Sequence, residues 1–276
     1  DIVFMQGRLC DRVDGKIQAF PWRDWEIEFP AAERLGIGLM EWTLDQDRLY
    51  ESPLMTDDGR HRIRQLSGQH GVRVHSLTGD CFMQAPFFKV DGTARAALLS
   101  DLQNILDASA SVGIRYVLIP RVDNGSLTAP EHEASLIDGL LPLHKRLVGQ
   151  RMKIVFESDF PAVRLASFID RFPADAFGIN YDIGNSAALG YVAAEEVGSY
   201  GRRIDNVHVK DRLLHGTTVP LGTGNADFPA VFSALRKAGY AGNFILQTAR
   251  ADDGDHAGAI ARYRDMTLAW WTASGS

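Results

Sequence analysis

Residues Ile204 to Asp211 read IDNVHVKD. Ile204, Val207 and Val209 are β-branched, and Gly201 lies just upstream as a break, so the run predicts a short buried strand. A histidine and then a Lys-Asp pair stand at its C-terminal end, and a helical stretch begins near Phe228. Polar groups gathered where a strand gives way to a loop are the layout of the catalytic face of an α/β barrel. Taken alone, His208 would read as a hydrogen-bonded core histidine. Three other strand-like runs with similar ends change that reading: KIVFESD with Glu157, FGINYDIGN with Asp182 and NFILQTAR with Gln247. The steps between the four residues are 25 (157 to 182), 26 (182 to 208) and 39 (208 to 247). One strand, one helix and two loops take roughly 25 to 40 residues in such a barrel. The four side chains therefore fall on consecutive strands and converge at one end. Two carboxylates, an imidazole and an amide oxygen make a ligand set for one divalent ion, Mn, Co, Mg or Zn.

The rest of the chain repeats the unit. Strand-like runs fall at Ile2–Met5, Leu39–Trp42, Val72–Leu77, Tyr116–Pro120, Lys153–Glu157, Phe177–Asp182, Ile204–Asp211 and Phe244–Thr248. Helical patterns follow each: one capped by Asp24 and ended by Gly36, then 57–70, 94–112, 130–148, 161–171, 193–200, 228–238 and 255–271. Strict alternation predicts a parallel sheet, and eight repeats predict a single closed (β/α)8 TIM barrel spanning 1–276. No linker rich in Pro, Gly or Ser marks a second domain. The turn Leu221-Gly222-Thr223-Gly224 is no dinucleotide fingerprint, since it follows no strand directly and lacks the third glycine.

With 45% apolar and 23% charged residues, the composition is that of a soluble globular chain. A net charge of -6 argues against a nucleic-acid partner. Two cysteines, Cys10 and Cys81, suggest no disulfide framework. No apolar run reaches the roughly 18 residues of a membrane span, and DIVFMQGRL lacks the layout of a signal peptide. A cytoplasmic location is expected. The chain starts inside a strand-like run and without Met, as it would if a few residues had been trimmed.

The last third of the chain resembles the xylose-isomerase-like TIM barrels, a superfamily of sugar and sugar-phosphate isomerases and epimerases. HVKD at His208 to Asp211 carries this. So does LGTGNADFPAVFSALRKAGYAGNFILQ, which is similar to the family's G-x-G-x-x-D-F turn, helix and Gly-Tyr-x-Gly entry to the last strand. Glu157 and Asp182 on the two preceding strands complete the likeness. The resemblance implies a divalent-metal enzyme in which Glu157, Asp182, His208 and Gln247 hold the ion. It departs in two places. The family usually has glutamate at 247, paired with that at 157 as acid and base on opposite faces of a ketose. Many members also have a histidine shortly after the strand-six aspartate, where this chain has Asn185.

Removing a proton beside a carbonyl leaves an enediolate, which a divalent cation stabilises and a carboxylate serves as base. Glu157 is the candidate base. Gln247 cannot titrate, so a two-base epimerisation needs another acid. Lys210, Glu41, His75 and Asp211 are candidates by position at strand ends. Arg8, Arg250 and Arg121 sit at the same end and suit an anionic substrate, a sugar phosphate or sugar acid. Trp22, Phe20, Phe82 and Phe88 are candidates for an apolar wall. The expected function is a metal-dependent isomerase or epimerase of a sugar derivative. A dehydratase of a keto-polyol and a decayed sugar-binding barrel are the alternatives. A homo-oligomer is compatible with all of them. Endonuclease chemistry on a related barrel would need more ligands than these strand ends provide.

Overall fold

The computed structural model describes residues 1–275. Among the described residues there are ten strands: β1 (Ile2–Met5), β2 (Leu39–Thr43), β3 (Arg73–Thr78), β4 (Tyr116–Arg121), β5 (Lys153–Ser158), β6 (Phe177–Asp182), β7 (Ile204–Val209), β8 (Asp211–Arg212), β9 (Thr218–Val219) and β10 (Asn243–Leu246). Eight close into a parallel barrel in the order β1-β10-β7-β6-β5-β4-β3-β2. The remaining two form an antiparallel hairpin, β8 with β9, at the barrel mouth. Val3, Met5, Leu39 and Ile245 pack into one apolar cluster of their own inside the barrel. Outside it, the main core joins strands to helices: the Phe156 ring packs on Phe168, Phe172 and Phe177 at 5.1 to 6.3 Å between centroids. Each such ring, fully buried, contributes on the order of 2 to 3 kcal/mol.

Local sequence explains most helix bounds, and also where expectation failed. The pattern over 130–148 is two helices, Pro130–Leu140 and His144–Gln150, joined by a 3-10 turn over Leu141–Leu143. Pro142 has no N–H to continue the ladder. Asp24 does not cap the first helix, which begins only at Glu28; the 21–27 segment is a run of turns. Two short helices, Asp80–Gln84 and Ile183–Leu189, lie in the loops after β3 and β6. The strand over 204–211 ends at Val209, because Asp211 and Arg212 turn away to pair with β9. Trp270 stacks on Phe228 at 4.1 Å and Trp271 packs on Phe244 at 5.1 Å, so both cover the outside of the barrel. Cys10 and Cys81 are free and buried. Among the described residues, no helix is long and apolar enough to cross a membrane.

Two strand pairs carry an extra residue. Met40 pairs with Val74 and Glu41 with Ser76, which leaves His75 as a bulge. Ile179 pairs with Ile204 and Asn180 with Asn206, which leaves Asp205 over. These bulges decide which side chains face inward beyond them.

Candidate metal centre and the cavity above it

Alternation along the strands turns Glu157 of β5, Asp182 of β6 and His208 of β7 into the C-terminal end of the barrel. One donor atom from each lies within 4.8 Å of the others. His208 Nδ1 is 3.4 Å from Glu157 Oε2 and 3.7 Å from Asp182 Oδ2. Both His208 Nδ1 and Asp182 Oδ2 are buried without a hydrogen-bond partner. Lys210 Nζ stands 2.7 Å from Asp182 Oδ2, an ion pair that lies off the hydrogen-bonding direction. An orphaned imidazole nitrogen with two carboxylates converging on it fits a cation.

The other imidazole nitrogen is committed. His208 Nε2 lies 2.6 Å from Glu41 Oε1, and Glu41 also accepts from Ser76 Oγ at 2.6 Å and Asn206 Nδ2 at 3.1 Å. With Nε2–H donated to Glu41, the Nδ1 lone pair is left for a metal. A carboxylate behind a histidine ligand commonly fixes its tautomer in this way. Burial alone would raise the Glu41 carboxyl, but the His208 charge and three hydrogen bonds outweigh it and hold the group below its ordinary range. In the same pairing, burial opposes the charge on His208, yet Glu41 and the two other carboxylates hold it well above the usual histidine value, so a cation binding at Nδ1 displaces a proton. For Asp182, burial is outweighed by Lys210 and then His208, and its carboxyl is lowered.

Two asparagines hold Glu157. Asn180 Nδ2 donates to Oε2 at 3.1 Å and Asn185 Nδ2 to Oε1 at 2.6 Å. Their orientation is fixed by donors on the far side: Asn206 Nδ2 donates to Asn180 Oδ1, and Arg212 Nη1 to Asn185 Oδ1 at 2.8 Å. Arginine can only donate, so Asn185 must turn its amino group to Glu157. Gly184 lets Lys210 pass close beside the start of the Ile183–Leu189 helix, since a Cβ there would sit 2.8 Å from Lys210 Cγ and 3.0 Å from the Lys210 backbone.

Above the cluster opens a cavity of about 650 Å³. Glu157, Lys210, Asn185, Gln247 and Arg8 line it. Gln247 lies just past β10, and its amide oxygen accepts from Lys210 Nζ at 3.0 Å. Arg8 is held by Thr248 O, Ile17 O and Gln18 Oε1, all neutral acceptors. Burial first, then the neighbouring Arg250, lowers its guanidinium to about 9.

Five other candidates lie elsewhere. Glu41 is fully buried beneath His208 and cannot touch a substrate. His75 is the bulge residue near Arg73 and Arg115, at the opposite end of the barrel, with its ring against Tyr116. Asp211 accepts from Gly222, Gly224 and Ala226 backbone N–H groups and so ties down the loop after β9. Arg121 is fully buried over the Phe168 ring at 3.7 Å, away from the cavity. Arg250 donates to Gly7 O and Cys10 O, bracing the loop after β1 rather than reaching the cavity. Nor do the aromatics form its wall: Phe20, Phe82 and Phe88 are core residues and Trp22 lies under Arg48. Ile17, Met83, Leu118, Pro120 and Leu189 supply the apolar lining instead.

Residues missed in the sequence line it too: Gln18, Asp80, Asp159 and Arg212. All lie in the segments that follow barrel strands, in loops, a short helix or the mouth hairpin, where no periodicity shows which way a side chain points. The loop that places Arg8 depends on Glu28, whose two oxygens accept from Gly7 and Leu9 N–H; Gly7 turns there at φ +85°. Burial pushes the Glu28 carboxyl up to about 7, against those hydrogen bonds and the charges of Arg250 and Arg8. Between its ordinary 4.5 and 7 the folded protein then holds a proton the unfolded chain has lost, so this residue's contribution to stability falls as pH rises. Glu28→Gln is expected to flatten that slope by up to about 3 kcal/mol. Urea unfolding at pH 5 and pH 8 measures it, and identical pH dependence in both proteins would refute it.

Two carboxylates and an imidazole converging under the polar mouth of a parallel barrel could hold a metal ion. The xylose isomerase-like TIM barrel family matches residues 29–266, and the chain belongs to that family. The L-ribulose-5-phosphate 3-epimerase UlaE of Escherichia coli O1:K1 is 25% identical over 261 residues, covering 91% of each chain. A D-psicose 3-epimerase structure determined in the presence of D-fructose superposes with a TM-score of 0.78 at 12% identity, covering 98% of this chain and 99% of that one. The IolI protein with a bound zinc atom superposes at 0.74 with 15% identity, covering 99% and 98%.

Proposed function

We propose that this protein is a divalent-metal-dependent epimerase of a ketose or ketose phosphate. The observation that carries it is the unpaired His208 Nδ1, fixed from behind by Glu41 and facing Glu157 and Asp182. Glu157, Asp182 and His208 would hold the ion, with the Gln247 amide oxygen as a fourth donor. A bound divalent ion supplies Lewis-acid stabilisation of negative charge on the substrate oxygens. Glu157, aimed by Asn180 and Asn185, takes the proton from the carbon beside the carbonyl. Lys210, reaching the cavity between Asp182 and Gln247, orients the substrate by donating to an oxygen. Arg8 and Arg212 line the cavity with only neutral acceptors as partners, which favours a phosphate or carboxylate on the substrate. The 3-epimerase names of relatives support a ketose. Manganese is the metal we would supply first, and the cytoplasm is the expected location.

The test is elemental analysis of the purified protein followed by incubation with L-ribulose 5-phosphate, L-ribulose and D-psicose. About one divalent ion per chain and epimer formation, at least tenfold faster with the phosphate than with L-ribulose, are expected. A metal-loaded protein that turns over none of the three would overturn the reading.

Gln247→Glu adds a carboxylate beside Lys210 and makes the ligand set one charge more negative. Metal affinity is expected to rise on the order of tenfold. A competition titration against a chelator reads this, and an unchanged or weaker affinity would exclude Gln247 as a ligand position.

A further inference from the structure

We propose that Asp80 is the second proton-transfer group of this site, acting on the face of the substrate opposite Glu157. The inference rests on the epimerase reading. Gln247 occupies a position where a second carboxylate is expected, and an amide cannot carry a proton through a turnover. Of the sequence candidates for that role, Glu41, His75 and Asp211 are excluded by position. Lys210 is engaged with Asp182 and Gln247.

Asp80 opens the short helix after β3 and lines the cavity that Glu157 and Lys210 also line. In the ring of eight strands, β3 and β5 flank β4, so Asp80 and Glu157 enter the mouth from either side of β4, and β3 stands opposite β7, the strand of His208. A sugar whose oxygens lie at the Glu157–Asp182–His208 cluster and whose plane stands over Leu118 and Pro120 of β4 presents one face to each. Asp80 is also held in place. Arg8 Nη2 donates to Gln18 Oε1 at 3.1 Å, which obliges Gln18 to present Nε2 to Asp80 Oδ2 at 3.2 Å. That is the one hydrogen bond of the Asp80 side chain among the described residues. The charged groups around it are Asp45 from the loop after β2, Glu157 from β5 and Arg8 from the loop after β1. Burial, then Asp45, raises the Asp80 carboxyl to about 7, so acid and carboxylate are both present at neutral pH.

The step balances. Glu157 takes the proton from the carbon, the C–H pair forms the carbon–carbon double bond, and the carbonyl pair moves to oxygen. Asp80 gives its proton to the same carbon from the other side while the oxygen pair re-forms the carbonyl. Glu157 then carries a proton and Asp80 lacks one, and exchange with water restores both.

Asp80→Asn separates this role from a structural one. The metal-loaded full chain is incubated in deuterium oxide with L-ribulose 5-phosphate and D-psicose. Epimer formation and deuterium at the reacting carbon are followed by NMR. Wild type is expected to do both. In Asp80→Asn, epimer formation should fall on the order of 100-fold or more, with metal content unchanged. Deuterium should still enter, without inversion, the epimer whose C–H faces Glu157. Epimerisation within about threefold of wild type overturns the proposal, and so does an equal fall in exchange and epimerisation. If wild type binds metal but exchanges neither probe, the epimerase reading itself fails, and the role of Asp80 fails with it.

Discussion

His208→Ala is expected to purify without metal, while wild type carries about one divalent ion per chain. The imidazole is the one nitrogen donor of the three-residue cluster, and its Nδ1 is the atom that Glu157 Oε2 and Asp182 Oδ2 approach. Without it, two carboxylates and an amide remain, a set that suits weaker, harder-ion binding. The loss has a second source. Glu41 is fully buried, and its carboxylate would lose its strongest partner. An unpaired buried charge costs about 3 to 5 kcal/mol, so His208→Ala should also unfold more readily. Glu41→Gln separates the two effects. Its amide can still accept from Ser76 and Asn206, and the imidazole keeps all its atoms, but the charge behind it is gone. Metal affinity should then fall roughly 10- to 100-fold. Elemental analysis and chelator titration of the three proteins read the series. Full metal occupancy in His208→Ala would remove this cluster as the metal site.

The barrel was legible because its signals are local. Alternation of apolar strands and amphipathic helices needs no tertiary information, and the spacing of Glu157, Asp182 and His208 follows from one residue per unit. Side-chain direction was less legible. Arg121 and Arg250 stand at the same end of the barrel as Glu157, Asp182 and His208, yet one is sunk among phenylalanines and the other braces a loop. His75 fails for a sharper reason: one extra residue in β3 shifts the register, and a bulge has no signature in this stretch. Glu41 was found by its position but assigned to the substrate. Its partner His208 is 167 residues away, and no sequence pattern joins them. The floor made by Asn180 and Asn206 was missed altogether. A buried asparagine inside a strand looks unpromising until its neighbours are known. Asp80 and Arg212 lie on loops whose course depends on contacts far along the chain, through Gln18 for one and Asn185 for the other.

Glu157→Gln is expected to lower turnover 10²- to 10⁴-fold, the range for losing a positioned general base. Because Glu157 is also a proposed ligand, the substitution is expected to weaken metal binding, and the rate must be measured at saturating metal. A purely ligating Glu157 would recover under those conditions, whereas a base would not. The carboxamide is not an innocent replacement. Asn180 and Asn185 both present N–H groups to the two oxygens of Glu157, and Asn206 and Arg212 lock them that way. A glutamine must set its own amino group against one of these donors, which leaves that pair unsatisfied at about 1 to 3 kcal/mol. Arg212→Met should relieve part of that clash, since Asn185 would then be free to turn its oxygen inward. The double variant is expected to be more stable, relative to Arg212→Met alone, than Glu157→Gln is relative to wild type. It should remain as slow as Glu157→Gln, because refitting the amide restores packing but not a proton acceptor. Deuterium exchange from the substrate should fall in step with turnover in Glu157→Gln, unlike in Asp80→Asn. Exchange that persists at the wild-type rate would assign the base elsewhere in the cavity.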